Sequence, residues 1–192
     1  MSETERKDIK KKIGIKHQFL LFVGSLEPRK NLEFLLHVIP SLYKEHQIQL
    51  VVVGAKGWKN SSIRAIIEAP DFPQESTIFC GFITNTELAD LYNTADCFIS
   101  AALMEGFGMP QLEALKCGCP IITANNSAMT EVAKDKDGAI LIDGYQPEKW
   151  QDAILRVIEE KPTVNIEQLA EYDCEVIIKK LSEQLNMQEE RL

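Results

Sequence analysis

Two apolar runs, Phe19-Leu-Leu-Phe-Val-Gly24 and Ile48-Gln-Leu-Val-Val-Val-Gly54, constrain this chain more than any other feature in it. A strand with one wet face alternates polar and apolar residues. Runs that stay apolar for four or five positions, interrupted here only by Gln49, belong to parallel strands covered on both faces. Between them, Leu32, Leu35, Leu36, Ile39 and Leu42 recur at helical spacing. Asn31 is the expected N-cap of that helix, and Pro40 is expected to kink or shift it. Each run ends in glycine, where the chain must turn out of the sheet.

The same alternation continues. Strands are expected at 76–80, 97–101, 120–123 and 139–142, and helices at 61–69, from Asn85 or Thr86 to Ala95, at 110–116, 127–133 and 147–160. A last amphipathic helix is expected over about 166–187. Strands of four to seven residues alternating with helices imply right-handed crossovers and an α/β fold. The architecture expected is a doubly wound, Rossmann-like parallel sheet of about six strands with helices on both faces. Ligands of such sheets bind beyond the strand carboxyl ends. The loops at 24–31, 54–58, 81–85 and 101–110 all leave such ends. Residues 1–16 are charged and lysine-rich and read as a leader or linker, with 17–192 as the domain proper.

The stretch Cys97 to Gly118 carries the most chemistry. It reads as strand, glycine turn and helix, with Gly106 and Gly108 in the turn and Pro110 in the first helical turn. Free amides and the positive end of the helix dipole make such a turn a cradle for an anion. Glu105 and Glu113 flank it. The plain alternative is a tight turn with two solvated glutamates, and one short glycine turn does not decide between them.

Composition removes some classes. A net charge of −8 over 192 residues opposes nucleic-acid binding. No apolar run is long enough to span a bilayer, and no signal peptide is expected at the charged start. The basic side of residues 1–16 allows weak membrane-surface association, but its apolar face is thin. Five cysteines, an odd number without a Cys-x-x-Cys pair, read as reduced thiols of a cytoplasmic protein. Cys117-Gly-Cys119 has no further ligands near it in sequence, so no metal site is expected.

Six motifs in order then carry a resemblance: Phe-Val-Gly-Ser-Leu-Glu-Pro-Arg-Lys-Asn at 22–31, Val-Val-Val-Gly-Ala-Lys-Gly-Trp at 51–58, Gly-Phe-Ile-Thr at 81–84 with Glu87-Leu-Ala-Asp-Leu-Tyr92, Glu-Gly-Phe-Gly-Met-Pro-Gln-Leu-Glu-Ala-Leu at 105–115, Cys-Gly-Cys-Pro-Ile-Ile at 117–122 and Ala-Met-Thr-Glu-Val at 128–132. Over about residues 17–185 the chain resembles the C-terminal, donor-binding half of the retaining GT-B glycosyltransferases of family 4. Glu105 and Glu113 match that family's paired glutamates.

The resemblance implies a role for each matching residue. Lys30 would stabilise the departing diphosphate of a nucleotide sugar, with Arg29 beside it. The bland alternative for Lys30 is a solvated lysine at a helix start. Glu105 would accept sugar hydroxyls, the amides of Gly106, Phe107, Gly108 and Met109 would meet sugar or phosphate oxygens, and Glu113 would take the ribose hydroxyls. Phe82 and Ile83 lie where the family reads the base, and Lys56 and Trp58 near the nucleotide pocket; simple packing is the alternative for each. Glu131 matches a glutamate of structural role. Ser25 stands where the family usually has arginine, so a phosphate contact is lost or taken by Arg29, and Ala101-Ala102 replaces a commoner Pro-Ser.

The function implied is transfer of a sugar with retention, mannose from GDP-mannose favoured over a UDP-sugar, to an acceptor hydroxyl. Neither metal nor cofactor is expected. The acceptor site belongs to an N-terminal domain, in the same chain or a separate subunit, so this chain alone is expected to bind donor but transfer poorly. A non-catalytic nucleotide-sugar-binding or regulatory module is the alternative. A sugar-nucleotide epimerase of related architecture is disfavoured, since it too would need its second half.

Overall fold

The structure is a computed structural model and describes residues 1–55, 61–179 and 182. Six parallel strands, β1 (Gln18–Val23), β2 (Ile48–Val53), β3 (Thr77–Gly81), β4 (Cys97–Ser100), β5 (Ile121–Ala124) and β6 (Ala139–Ile142), form one sheet in the order β3-β2-β1-β4-β5-β6. The chain winds outward from β1 to one edge, returns to β4, and winds outward again. The switch point therefore falls between β1 and β4, and ligand crevices open there. The helices are α1 (Glu3–Ile13), α2 (Leu32–His46), α3 (Ser61–Ile67), α4 (Asn85–Thr94), α5 (Met109–Lys116), α6 (Ser127–Ala133) and α7 (Pro147–Glu160).

β1 and β2 pair in register from Gln18↔Ile48 to Val23↔Val53. Their side chains divide between two cores. Leu20, Phe22, Leu50 and Val52 pack under α2, α3 and α7; Phe19, Leu21, Val51 and Val53 pack under α1, α4, α5 and α6. That division is why the runs carry no polar alternation. α2 buries Leu32, Leu35, Leu36, Val38, Ile39 and Leu42, and each such burial is worth about 1.5–3 kcal/mol. The helix runs through Pro40, and Trp150 of α7 stacks on Tyr145 against the same core at a centroid distance of 6.4 Å.

Three local expectations need correction. Asn31 stands before α2 in a left-handed conformation (φ 54°), and its side chain makes no cap. Thr84, not Asn85 or Thr86, caps α4, in a full capping box with Glu87. The helix after the glycine turn runs Met109–Lys116 with Pro110 in its first turn, as expected. The single last helix is broken: Ile166–Tyr172 is a 3-10 segment, residues 174–179 are helical, and the remainder of the expected span lies largely outside the described residues.

Residues 1–16 contain α1, closed by a Ser2–Glu5 capping box and a left-handed Gly14. Ile9 and Ile13 pack against the α4 side of the sheet, and Lys12 pairs with Glu87 at 2.8 Å. Among the described residues no helix is long and apolar enough to cross a membrane. All five cysteines are free. Cys97 and Cys119 are buried, and burial pushes the Cys119 thiol up to about 12. Cys174 is exposed.

Candidate functional site

The carboxyl ends of β1, β2 and β3 are tied together by backbone. Gly24 N–H donates to Val53 O at 2.9 Å, and Gly54 N–H donates to Gly81 O at 2.9 Å. Glycine is required at the second position: a Cβ on Gly54 would stand 1.9 Å from Gly24 O. From this platform the chain after β1 makes a 3-10 turn at Pro28–Lys30. The turn folds the Lys30 side chain back over Gly24, where an added Cβ would meet Lys30 Cε at 3.4 Å.

Lys30 is therefore covered, only 8% exposed, and not the solvated lysine of the bland alternative. Its ammonium pairs with Glu105 Oε1. Arg29 Nη1 reaches Glu105 Oε2 at 3.1 Å, and Arg29 Nε reaches Glu27 at 2.8 Å. The hydrogen bond from Arg29 holds the Glu27 carboxyl below its ordinary value. Across the switch point, Leu103 N–H donates to Arg29 O at 2.7 Å. Glu105 N–H donates to Ser127 Oγ at 3.1 Å, which fixes the backbone of the carboxylate. Two cations from the loop after β1 thus meet one carboxylate from the loop after β4.

Beyond Glu105 the chain turns through Gly106, Phe107 and Gly108 into α5. Gly108 is the N-cap, left-handed at φ 84°, with no side chain to accept from the first turn. Among the described residues the amides of Gly106, Phe107, Gly108 and Met109 donate to no protein group. Free amides at a helix start beside two cations form a strongly anion-attracting corner.

Glu113, one turn into α5, is half-buried and accepts the Tyr92 hydroxyl at 3.0 Å. Burial, and then the neighbouring Glu113 carboxylate, raise the Tyr92 hydroxyl well above its ordinary value. The hydroxyl therefore stays protonated and orients the carboxylate. Ser25 is half-buried beside Glu27. Phe82 is 89% exposed at the end of β3, whereas Ile83 packs partly against the core under α4. Ile83 also lines a groove of about 240 Å³ between α1, β3 and α4, with Ile9, Ile78 and Cys80. Lys56 and Trp58 lie outside the described residues. Glu131 is exposed, and its carbonyl accepts the Tyr172 hydroxyl at 3.4 Å.

Sequence reasoning missed Tyr92 as the partner of Glu113 and Ser127 as the support of Glu105. Tyr92 carried a signal, an aromatic with a polar tip on the inner face of an otherwise apolar helix side. Among the described residues no group of three His, Cys, Asp or Glu side chains is placed to hold a metal ion.

Comparison with known proteins decides the family. The family model "Glycosyl transferases group 1" matches residues 4–172. The chain belongs to the group 1 glycosyl transferases. Its family match begins inside α1, so that helix lies within the family's region.

A serotype-specific mannosyltransferase of Escherichia coli, WbdA, is 33% identical over 158 residues, which cover 81% of this chain and 19% of that protein. This chain therefore spans about a fifth of that relative's length. Among solved structures, Anabaena HepE, crystallised with UDP and glucose, matches with a TM-score of 0.80 at 17% identity, over 97% of this chain and 53% of that one. The C-terminal domain of the group 1 family protein LpcC from Francisella tularensis matches with a TM-score of 0.69 at 21% identity, over 82% of this chain and 84% of that one. At these identities the structures speak for the fold, a six-stranded parallel α/β sheet shared with GT-B glycosyltransferases.

Proposed function

We propose that this chain is the donor-binding half of a retaining glycosyltransferase, moving a sugar from a nucleotide diphosphate to an acceptor hydroxyl. The observation that carries the reading is the convergence of Lys30, Arg29 and Glu105 beside four unused loop amides. A diphosphate needs cations and N–H donors; a sugar needs carboxylates that accept its hydroxyls. Both sets meet at the switch point between β1 and β4.

In this reading Lys30 and Arg29 hold the diphosphate and stabilise the charge that grows as the bond to the anomeric carbon breaks. The amides of Gly106 to Met109 share that charge. Glu105 orients the sugar, and Glu113, braced by Tyr92, accepts the ribose hydroxyls. Phe82 and Ile83 border the base. The acceptor then attacks from the face that the diphosphate leaves.

Mannose from GDP-mannose is the favoured donor, supported by the mannosyltransferase relative. A UDP-sugar is the second reading, favoured by the fold shared with a protein crystallised with UDP and glucose. The acceptor would sit on an N-terminal half, in the same chain or a separate subunit. The extra length of the relatives and the match to a C-terminal domain support that arrangement.

Calorimetric titration of the 192-residue chain with GDP, UDP and their sugar conjugates tests the site. Lys30→Ala should weaken diphosphate binding by about 1.5–3 kcal/mol, the range for hydrogen bonds to charged groups. No binding of either nucleotide at millimolar concentration, or unchanged affinity in Lys30→Ala, refutes the assignment. Transfer measured with and without an N-terminal half tests catalysis, and no gain on adding that half counts against it.

A further inference from the structure

Gln111 is 1% exposed, and both Nε2 and Oε1 of its carboxamide are buried without a hydrogen-bond partner among the described residues. It is the third residue of α5, an eight-residue helix whose N-cap is a glycine with no side chain to offer. A Cβ built on Gly108 would stand 3.2 Å from Gln111 Nε2 and 3.4 Å from its Cδ. The carboxamide therefore presses on the glycine turn from the protein side, while the free amides of Gly106 to Met109 sit on the loop itself.

An unpaired buried amide is costly, and a methionine or leucine of similar volume would fill the space without that cost. Its place here calls for a state in which it is paired. A peptide unit points its N–H and C=O in opposite directions. Turning a loop N–H outward to an anion turns the carbonyl of the same peptide inward, toward a donor waiting beneath. Glycine at 106 and 108 lets the backbone make that rotation.

We propose that Gln111 is a positioning residue for the donor: when the loop amides take up the diphosphate sugar, the Gln111 carboxamide hydrogen-bonds the inward-turned backbone of the Gly106–Gly108 turn and holds it there. Gln111 itself touches no ligand. The role rests on the donor-binding reading above and adds to it a loop with two states, one held by ligand outside and carboxamide inside.

The test is Gln111→Met, which keeps length and removes both polar ends. The empty chain should melt higher, because an unsatisfied amide is gone, and nucleoside diphosphate should bind about three- to tenfold more weakly, the worth of one hydrogen bond. A merely structural glutamine would not move stability and affinity in opposite directions. Unchanged affinity in Gln111→Met overturns the proposal while leaving the site assignment standing. No nucleotide binding by the unsubstituted chain fails the site assignment and the proposal together. In the unsubstituted chain, the Gln111 side-chain NH2 resonances should shift and gain exchange protection on adding GDP or UDP. Absence of any change at saturating nucleotide overturns the proposal without recourse to a variant.

Discussion

Glu105→Gln separates the two tasks assigned to one carboxylate. Glu105 Oε1 pairs with Lys30, and Oε2 lies 3.1 Å from Arg29. On the donor-binding reading, a diphosphate would share two cations that one anion already partly neutralises. Glutamine keeps the reach and removes the charge. The Glu105 and Lys30 side chains are each 11% exposed and Arg29 is 49% exposed, so the effective dielectric lies between that of a protein surface and that of water. A phosphate seated on the far side of the same cations stands about 7 Å from the carboxylate. Unit charges at that separation repel by about 1–2 kcal/mol in such a medium.

Glu105→Gln should therefore bind GDP or UDP roughly five- to thirtyfold more tightly than the unsubstituted chain. The gain should shrink as salt is raised. Stability should move the other way. The substitution leaves Lys30 covered and without its anion, at a cost of about 1–3 kcal/mol, below the range for fully buried pairs because the site stays partly wet. For a chain of this size the melting temperature drops about 2–4 °C per kcal/mol, and added nucleotide restores more of it than in the parent. Sugar transfer, where an N-terminal half is supplied, should fall, since the hydroxyl acceptor is weakened. Calorimetry with thermal melts reads both effects. If Glu105→Gln binds the nucleoside diphosphate no more tightly, the carboxylate does not compete for Lys30 and this electrostatic reasoning is refuted.

Two further tests address the frame. Gly54→Ala drives a Cβ to 1.9 Å from Gly24 O, whereas Gly14→Ala meets nothing within 4 Å; the first should cost well over the ~1–3 kcal/mol of ordinary overpacking or prevent folding, the second about 1 kcal/mol for its left-handed backbone. Comparable melting temperatures for the two variants would contradict the close approach of the β1 and β2 ends. The Glu87 carboxyl is lowered from 4.5 to about 2, first by the Lys12 hydrogen bond and then by Thr84. Its contribution to stability is present above pH 4.5 and is lost as pH falls toward 2. Carboxylate titration by NMR should show that low value, and Lys12→Ala should raise it; a Glu87 titrating at the ordinary value would remove the α1–α4 link.

The strands were legible because Phe19–Phe22 and Ile48–Val53 are buried, and burial of that kind favours apolar residues except where, as at Gln49, the side chain is hydrogen-bonded at both polar atoms. The doubly wound order followed from the alternation of strands and helices, and the sheet has it, with the return from β3 to β4 beside β1; the residue-by-residue register did not follow, since nothing in a run of Val and Leu names its partner. Asn31 misled because asparagine suits both an N-cap and a left-handed turn, and the turn after Lys30 required the second. The long final helix failed at Asp173, where the preceding 3-10 segment ties Lys136 to the Gln168 carbonyl at 2.9 Å and packs Phe107 against Tyr172 at 5.9 Å. Tertiary contacts overrode the helical pattern there. At the candidate site, Lys30 and Glu105 were readable as neighbours on two loops that leave strand carboxyl ends, but their ion pair was not, for they stand 75 residues apart. Gln111 was invisible, because a glutamine among helix formers reads as surface until its burial is known.

The 2.7 Å bond from Leu103 N–H to Arg29 O joins the two loops across the switch point through backbone alone. Backbone does not mutate. The side chains of Ser25 on one loop and of Ala101 and Ala102 on the other can change without the loops losing that bond. The spacing between the Lys30 turn and the Glu105 loop is thus set by atoms that every residue carries, and substitutions at positions 25, 101 and 102 reshape the crevice without changing it.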